Sequence, residues 1–102
     1  MRDKSEVIAA LTDPGIIAVV RAQSRGQVLP LSEALLAGGV RAIEITTSTH
    51  EAIEAIREVS KALGERAVIG VGTVLDVETC HAACEAGAEF VVSPVTNLKL
   101  VP

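Results

Sequence analysis

Four short runs of apolar, mostly β-branched residues recur at intervals of about 22 to 26 residues, and a helical pattern fills each gap between them. The runs are read as strands near 16–20, 41–46, 67–72 and 89–93. Strand, helix and strand in regular succession is the pattern of crossover units, whose strands run the same way and form a parallel sheet. The expected fold class is therefore α/β, four strands with three complete helices between them. Residues 98–102 begin a further helical pattern.

The helices have legible ends. A lead-in helix over 4–12 carries Val7, Ile8 and Leu11 on one side, with Asp3 or Ser5 as cap and Asp13-Pro14-Gly15 as stop. The second, Gln27 to Ala37, repeats Val28, Leu31, Leu35 and Leu36, takes Pro30 in its first turn and ends at Gly38-Gly39. The third, about His50 to Leu63, turns Ile53, Ile56 and Val59 or Leu63 inward and Glu54, Arg57, Glu58 and Lys61 outward. Asp76 caps a fourth that runs to Ala86 and stops at Gly87. Ala37-Gly38-Gly39-Val40 and Ala86-Gly87-Ala88-Glu89 occupy equivalent helix-to-strand corners, as repetition of one βα unit requires.

Two architectures use this alternation. An open, doubly wound sheet of flavodoxin type is one, but no Gly-rich phosphate fingerprint follows the first strand. A piece of a TIM barrel, which gathers polar groups at the carboxyl ends of its strands, is the other. Arg21, Glu44, Thr46, Thr73, Ser93 and Thr96 all fall at or just past such ends. Glu44 is the most informative, because strands covered on both faces are apolar throughout. A carboxylate inside Ile43-Glu44-Ile45-Thr46 either reaches water at a strand end, paired with an arginine such as Arg21 or Arg41, or serves as an acid/base.

Composition excludes several classes of function. A chain of 102 residues holds one small domain, and 49% apolar content with 1% aromatic content leaves a core of Val, Ile, Leu and Ala. A net charge of −4 and the lack of interleaved aromatics give nucleic acid no footing. There is no apolar run of ~18 residues for a membrane span, and the start Met1-Arg2-Asp3-Lys4-Ser5 is unlike a signal peptide, so a cytoplasmic protein is expected. Cys80 and Cys84 stand four apart and share a helix face, whereas His81 points about 100° away from Cys80 and about 60° from Cys84. With no second ligand cluster to complete a tetrahedron, the expectation is no metal and two buried, reduced thiols packing as small hydrophobes.

Ile43-Glu44-Ile45-Thr46, Gly70-Val71-Gly72-Thr73-Val74-Leu75 and Phe90-Val91-Val92-Ser93-Pro94 together resemble the KDPG/KHG aldolase family. The resemblance runs from about Gly15 to Asn97 and takes in Ala18-Val19-Val20-Arg21-Ala22 and Ala37-Gly38-Gly39-Val40. It implies a (β/α)₈ barrel of which residues 1–102 are the amino-terminal half, that is, half of a TIM barrel. It also implies a class I Schiff-base mechanism without metal or cofactor, a small keto-acid substrate cleaved to pyruvate, and a homo-oligomer, usually a trimer. Within it, Glu44 resembles the general acid/base and Thr73 the contact to the pyruvyl carboxylate. Arg21 resembles a first-strand arginine suited to a bidentate grip on a carboxylate. Thr46 lies on the same rim, and Pro94 shapes it beside the site.

The chain departs from the family pattern at two places. Many members carry an Arg at the position of Ser48, so the identity of the keto-acid is open and a galactonate-derived epimer fits equally. The family's Schiff-base Lys belongs to a sixth strand, beyond the four read here. Lys4 and Lys61 lie on helices and Lys99 past the last strand, without the desolvation or cationic neighbour that activates an amine. The resemblance therefore leaves three readings: half of an aldolase that needs the other half, a non-catalytic half-barrel that pairs with a copy of itself, and a sugar-phosphate epimerase-like enzyme.

Overall fold

The computed structural model describes residues 3–12, 15–49 and 51–93. Helix α1 spans Lys4–Thr12, strand β1 Ile17–Val20, helix α2 Val28–Ala37 and strand β2 Ala42–Thr46. Helix α3 spans Ala52–Leu63, strand β3 Val68–Gly72, helix α4 Val77–Ala86 and strand β4 Phe90–Val92. The four strands form one sheet in the order β1-β2-β3-β4, and every neighbouring pair is parallel. Sequential order with a helix in each crossover is half of an α/β barrel, as the alternation predicts.

Register fixes what each face presents. Ile17, Ala42 and Val68 lie level with one another, followed by Val19, Glu44, Gly70 and Phe90, and then by Thr46, Gly72 and Val92. The intervening residues Val20, Ile43, Ile45, Ile69 and Val71 point the other way and pack against Val28 of α2, Ile56, Val59 and Leu63 of α3 and Ala83 of α4. Burying each of these Val, Ile and Leu side chains contributes roughly 1.5–3 kcal/mol, so the helix-covered face holds most of the fold's stability.

The second face is covered unevenly. Helix α1 lies under the lower part of it, with Val7 and Leu11 against Val68 and Phe90. Asp3 caps that helix, its carboxylate accepting from the Glu6 amide at 2.9 Å. Further out on the same face Ile17 and Val92 are exposed and Val19 is 58% exposed. This is the surface that a closed barrel turns inward.

Three local details differ from the periodic reading. Leu31 is exposed, because the buried stripe of α2 runs through Val28, Leu29, Ser32, Leu35 and Leu36 and leaves position 31 about 100° from its centre. Ile8 is exposed for a similar reason: among the described side chains, α1 meets the sheet through Val7 and Leu11. The second and third helical segments also start differently. A 3₁₀ turn over Arg25–Gln27 precedes α2, and Glu51 in the left-handed region (φ 55°) precedes α3. His50, the expected start of α3, and the helical pattern over 98–102 lie outside the described residues.

Asp76 makes the best-defined cap. Its carboxylate accepts from the Thr79 amide at 2.6 Å and from the Thr79 hydroxyl at 3.1 Å, and these bonds hold its pKa below the ordinary value of 3.8. A depressed folded-state value means that the cap's stabilisation is complete above the unfolded-state value and is lost as the pH falls through the folded one. Thermal unfolding followed by circular dichroism should therefore show three things: Asp76→Ala melting below the parent at neutral pH, Asp76→Asn melting near it, and Asp76→Asn losing part of the parent's decline in acid. A decline in Asp76→Asn as steep as the parent's would remove Asp76 as its cause.

Candidate active site

Glu44 sits in the middle of β2, level with Val19 on one side and Gly70 on the other, on the face away from the crossover helices. It is 8% exposed. Its carboxylate lies over Gly72 of the adjacent strand: a Cβ built there would fall 2.8 Å from Glu44 Cδ and closer still to Oε2. Gly70, two residues earlier, gives the same room to the ring of Phe90. The two glycines of β3 thus open a trough across the inner face, with Phe90 in its lower part and the carboxylate in its upper part. Glycine in a strand interior costs packing and backbone entropy, and here it is where two larger groups cross.

No ion pair or hydrogen bond reaches the Glu44 carboxylate among the described residues. Arg21 and Arg41 are both exposed, so the pairing of Glu44 with either one is not seen. A nearly buried carboxylate without a cationic partner is costly to keep, and such sites are candidates for chemistry.

The remaining rim residues are tied together by loop hydrogen bonds. Thr46 Oγ1 lies 3.0 Å from Ser48 Oγ and 3.4 Å from Thr49 Oγ1. The Ala22 amide in turn donates to Thr49 Oγ1 at 3.2 Å, which fastens the loop bearing Arg21 to the loop after β2. Across the other side, the Thr47 amide donates to the Gly72 carbonyl at 2.6 Å and the Thr47 hydroxyl to the Thr73 carbonyl at 3.0 Å. Arg21, Thr46 and Thr73 therefore lie at the carboxyl ends of three adjacent strands, as the sequence positions imply, and Glu44 stands two residues below that rim with its carboxylate beside Gly72. Arg21 and Thr73 have exposed side chains, whereas the Thr46 hydroxyl is engaged by the loop. Ser93 lies at the end of β4, and Pro94, Thr96 and Lys99 fall outside the described residues.

Sequence reasoning missed two parts of this arrangement. The room that Gly72 gives to the chain's own Glu44 has no signal in the sequence around either residue. Thr49, 3% exposed and the hub of the loop contacts, had no recognisable signal beyond its place in a run of hydroxyl residues. The two described lysines stand elsewhere: Lys4 on α1 and Lys61 on the solvent side of α3. Lys61 lines an open cavity of about 580 Å³ with Ser60, Arg66 and Glu89. That cavity lies at the amino ends of β3 and β4, opposite the carboxylate, and its size does not make it the site, because the chemistry-bearing groups are on the other rim. No cluster of three or more metal-ligating side chains occurs among the described residues, and no described helix is long and apolar enough to cross a membrane.

Comparison with known proteins gives a consistent result. The family model "KDPG and KHG aldolase" matches residues 7–102. The KHG/KDPG aldolase of Escherichia coli (strain K12) is 37% identical over 91 residues, covering 89% of this chain and 42% of that protein. Among solved structures, the 2-keto-3-deoxy-6-phosphogluconate aldolase of Zymomonas mobilis ZM4 with 3-phosphoglycerate superposes with a TM-score of 0.82. It is 34% identical, and the match covers 96% of this chain and 46% of that one. The KDPG aldolase of Legionella pneumophila, with pyruvate captured at low pH as a covalent carbinolamine intermediate, superposes with a TM-score of 0.76 at 36% identity over 82% of this chain and 40% of that one. The chain thus spans less than half the length of each of these relatives.

The fit of Glu44 over Gly72 can be tested without any activity. Gly72→Ala drives a methyl group into the carboxylate and should destabilise the chain by about 1–3 kcal/mol. In a double-mutant cycle with Glu44→Ala, read from denaturant midpoints, most of that loss should be recovered. Strict additivity of the two substitutions would show that the two residues do not share this space.

Proposed function

Because the chain belongs to the KDPG and KHG aldolase family, we propose that it supplies the amino-terminal half of a class I aldolase barrel that cleaves 2-keto-3-deoxy-6-phosphogluconate or 4-hydroxy-2-oxoglutarate to pyruvate and an aldehyde. The observation that carries this reading is the carboxylate of Glu44, nearly buried, unpaired among the described residues and held at the strand ends by Gly72. A carboxylate in that position can take a proton from a carbinolamine hydroxyl and return one to an enamine carbon. The carbinolamine captured in the Legionella pneumophila relative supports Schiff-base chemistry for the family, and no metal or cofactor enters this scheme.

Around that group the other rim residues take binding roles in the proposal. Arg21 grips a substrate carboxylate, Thr73 contacts the pyruvyl carboxylate, and Pro94 shapes the rim. Thr46 acts mainly through the loop it orders. Ser48, standing where many family members have Arg, leaves the distal end of the substrate less tightly specified. The nucleophilic amine has to come from the complementary strands, since Lys4 and Lys61 are exposed on helices away from the rim. The chain alone is then inactive, and the completed barrel works in the cytoplasm as a homo-oligomer, a trimer as in the family.

One observation favours a second reading. Ile17, Val19 and Val92 are exposed on the inner face, and β1 and β4 are open edges of the described sheet. A second copy could cover that face and pair those edges, closing eight strands around a two-fold axis. Such a module would be structural, and Glu44 would be idle.

Two experiments separate these readings. Borohydride reduction with pyruvate should label no lysine in this chain alone and one lysine in a barrel completed by the carboxyl-terminal half of a relative; a label on Lys4 or Lys61 would place the amine in this chain after all. In the completed barrel Glu44→Gln should lower kcat by roughly 10²-fold or more, and an unchanged kcat would exclude Glu44 from proton transfer. An inactive completed barrel together with a compact dimer of this chain in solution would favour the structural module.

A further inference from the structure

Cys80 and Cys84 lie one turn apart on α4, and the structure separates them by environment. Cys80 is half-buried against the core beneath the helix, whereas Cys84 is exposed. This corrects the expectation of two buried thiols, since only Cys80 packs as a small hydrophobe. Their Cβ atoms, four residues apart on one face, stand about 5–6 Å from each other. A disulfide requires Cβ atoms at roughly 3.5–4.5 Å, so the pair cannot join directly while α4 stays helical. A single soft atom set between the two sulfurs adds a bond to the span and closes it.

Few centres suit such a pair. Zinc needs four protein or solvent ligands in a tetrahedron, and the described residues supply no third donor nearby. A thiophilic centre satisfied by two sulfurs and one ligand of its own needs nothing more from the protein. We propose that Cys80 and Cys84 form a bidentate dithiol site for a monosubstituted trivalent arsenical, one sulfur anchored against the core and the other open to solvent. The step is a condensation. Two As–S bonds form, two As–OH bonds and two S–H bonds break, and two waters leave. Arsenic stays trivalent and no oxidant or reductant is consumed.

Each sulfur attacks arsenic as its thiolate, and the proton it gives up leaves with a hydroxide as water. Partial burial pushes the Cys84 thiol up from its ordinary value, and Cys80 beside it pushes it further. A raised value slows every reaction that passes through the thiolate, capture included, so the preference for arsenic rests on the spacing of the two sulfurs. The site is also separate from the candidate catalytic groups: Ala83 of α4 packs on the helix-covered face of the sheet, and Glu44 belongs to the other. The bridge would staple one turn of α4 without touching the rim.

Phenylarsine oxide is a suitable probe, followed by intact mass and by titration of free thiols on the 102-residue chain. One phenylarsenic group per chain should bind with loss of both thiols, resisting glutathione and yielding to a dithiol. Cys80→Ser and Cys84→Ser should each weaken capture by ~100-fold or more, the loss expected when chelation becomes a single contact. The double change Cys84→Ser with Glu85→Cys keeps two thiols but moves one off the shared face; it should bind as weakly as the single variants while circular dichroism reports the same helix content. Equally tight capture by that relocated variant, capture of two arsenicals per parent chain, or release by glutathione would each overturn the proposal.

Discussion

A carboxylate in the middle of a parallel strand is tolerated here because the neighbouring strand offers no side chain to compete with it. Gly72 leaves the volume that the Glu44 carboxylate occupies, and Gly70 leaves the volume for Phe90 one step below. Any larger residue at 72 would have to push Glu44 outward to solvent or distort the strand pair. The position of the one chemically distinctive group in the sheet is therefore set by two absences in β3 as much as by β2 itself. The apolar ring below and the strand register around it then fix the height of the carboxylate relative to the rim.

That arrangement needs a rigid platform, and the helix-covered face provides it. Ile43, Ile45, Ile69 and Val71 are essentially excluded from solvent between the sheet and α2, α3 and α4. Among the described residues, the other face is supported where α1 lies beneath Val68 and Phe90. The loops finish the work at the carboxyl ends, where Thr47 bonds to Gly72 and Thr73 and Thr49 bonds to the Ala22 amide. Each link crosses from one strand end to the next, so the rim behaves as a connected band with its polar groups held in order.

Much of this was legible in the sequence because its causes are local or periodic. The alternation of β-branched runs with helical patterns specifies parallel strands, and Asp76 and Gly87 mark the ends of α4 through capping chemistry confined to a few residues. The rim positions of Arg21, Thr46 and Thr73 followed from strand length alone. What stayed hidden depends on contacts between segments distant in sequence. Nothing near Gly72 reveals that Glu44 will cross over it, and nothing near Thr49 reveals the Ala22 amide. The exposure of Leu31 and Cys84 escaped for a related reason: periodicity identifies a helix face, but the neighbouring elements decide which part of that face is covered.

A half-barrel can therefore hold a nearly buried carboxylate in place before the barrel is closed. Glu44, Gly72 and the loop links are internal to β1, β2 and β3, so their geometry does not require the remaining strands. An amine activated for Schiff-base formation does require them, because lowering its proton affinity takes desolvation from a closed interior or a cationic neighbour. On this chain the inner face is still open to water at Ile17, Val19 and Val92, and the described lysines sit on outer helices. In the proposed enzyme, positioning a carboxylate and activating an amine thus make different demands on the fold: packing of adjacent strands meets the first, and the second needs closure of the barrel.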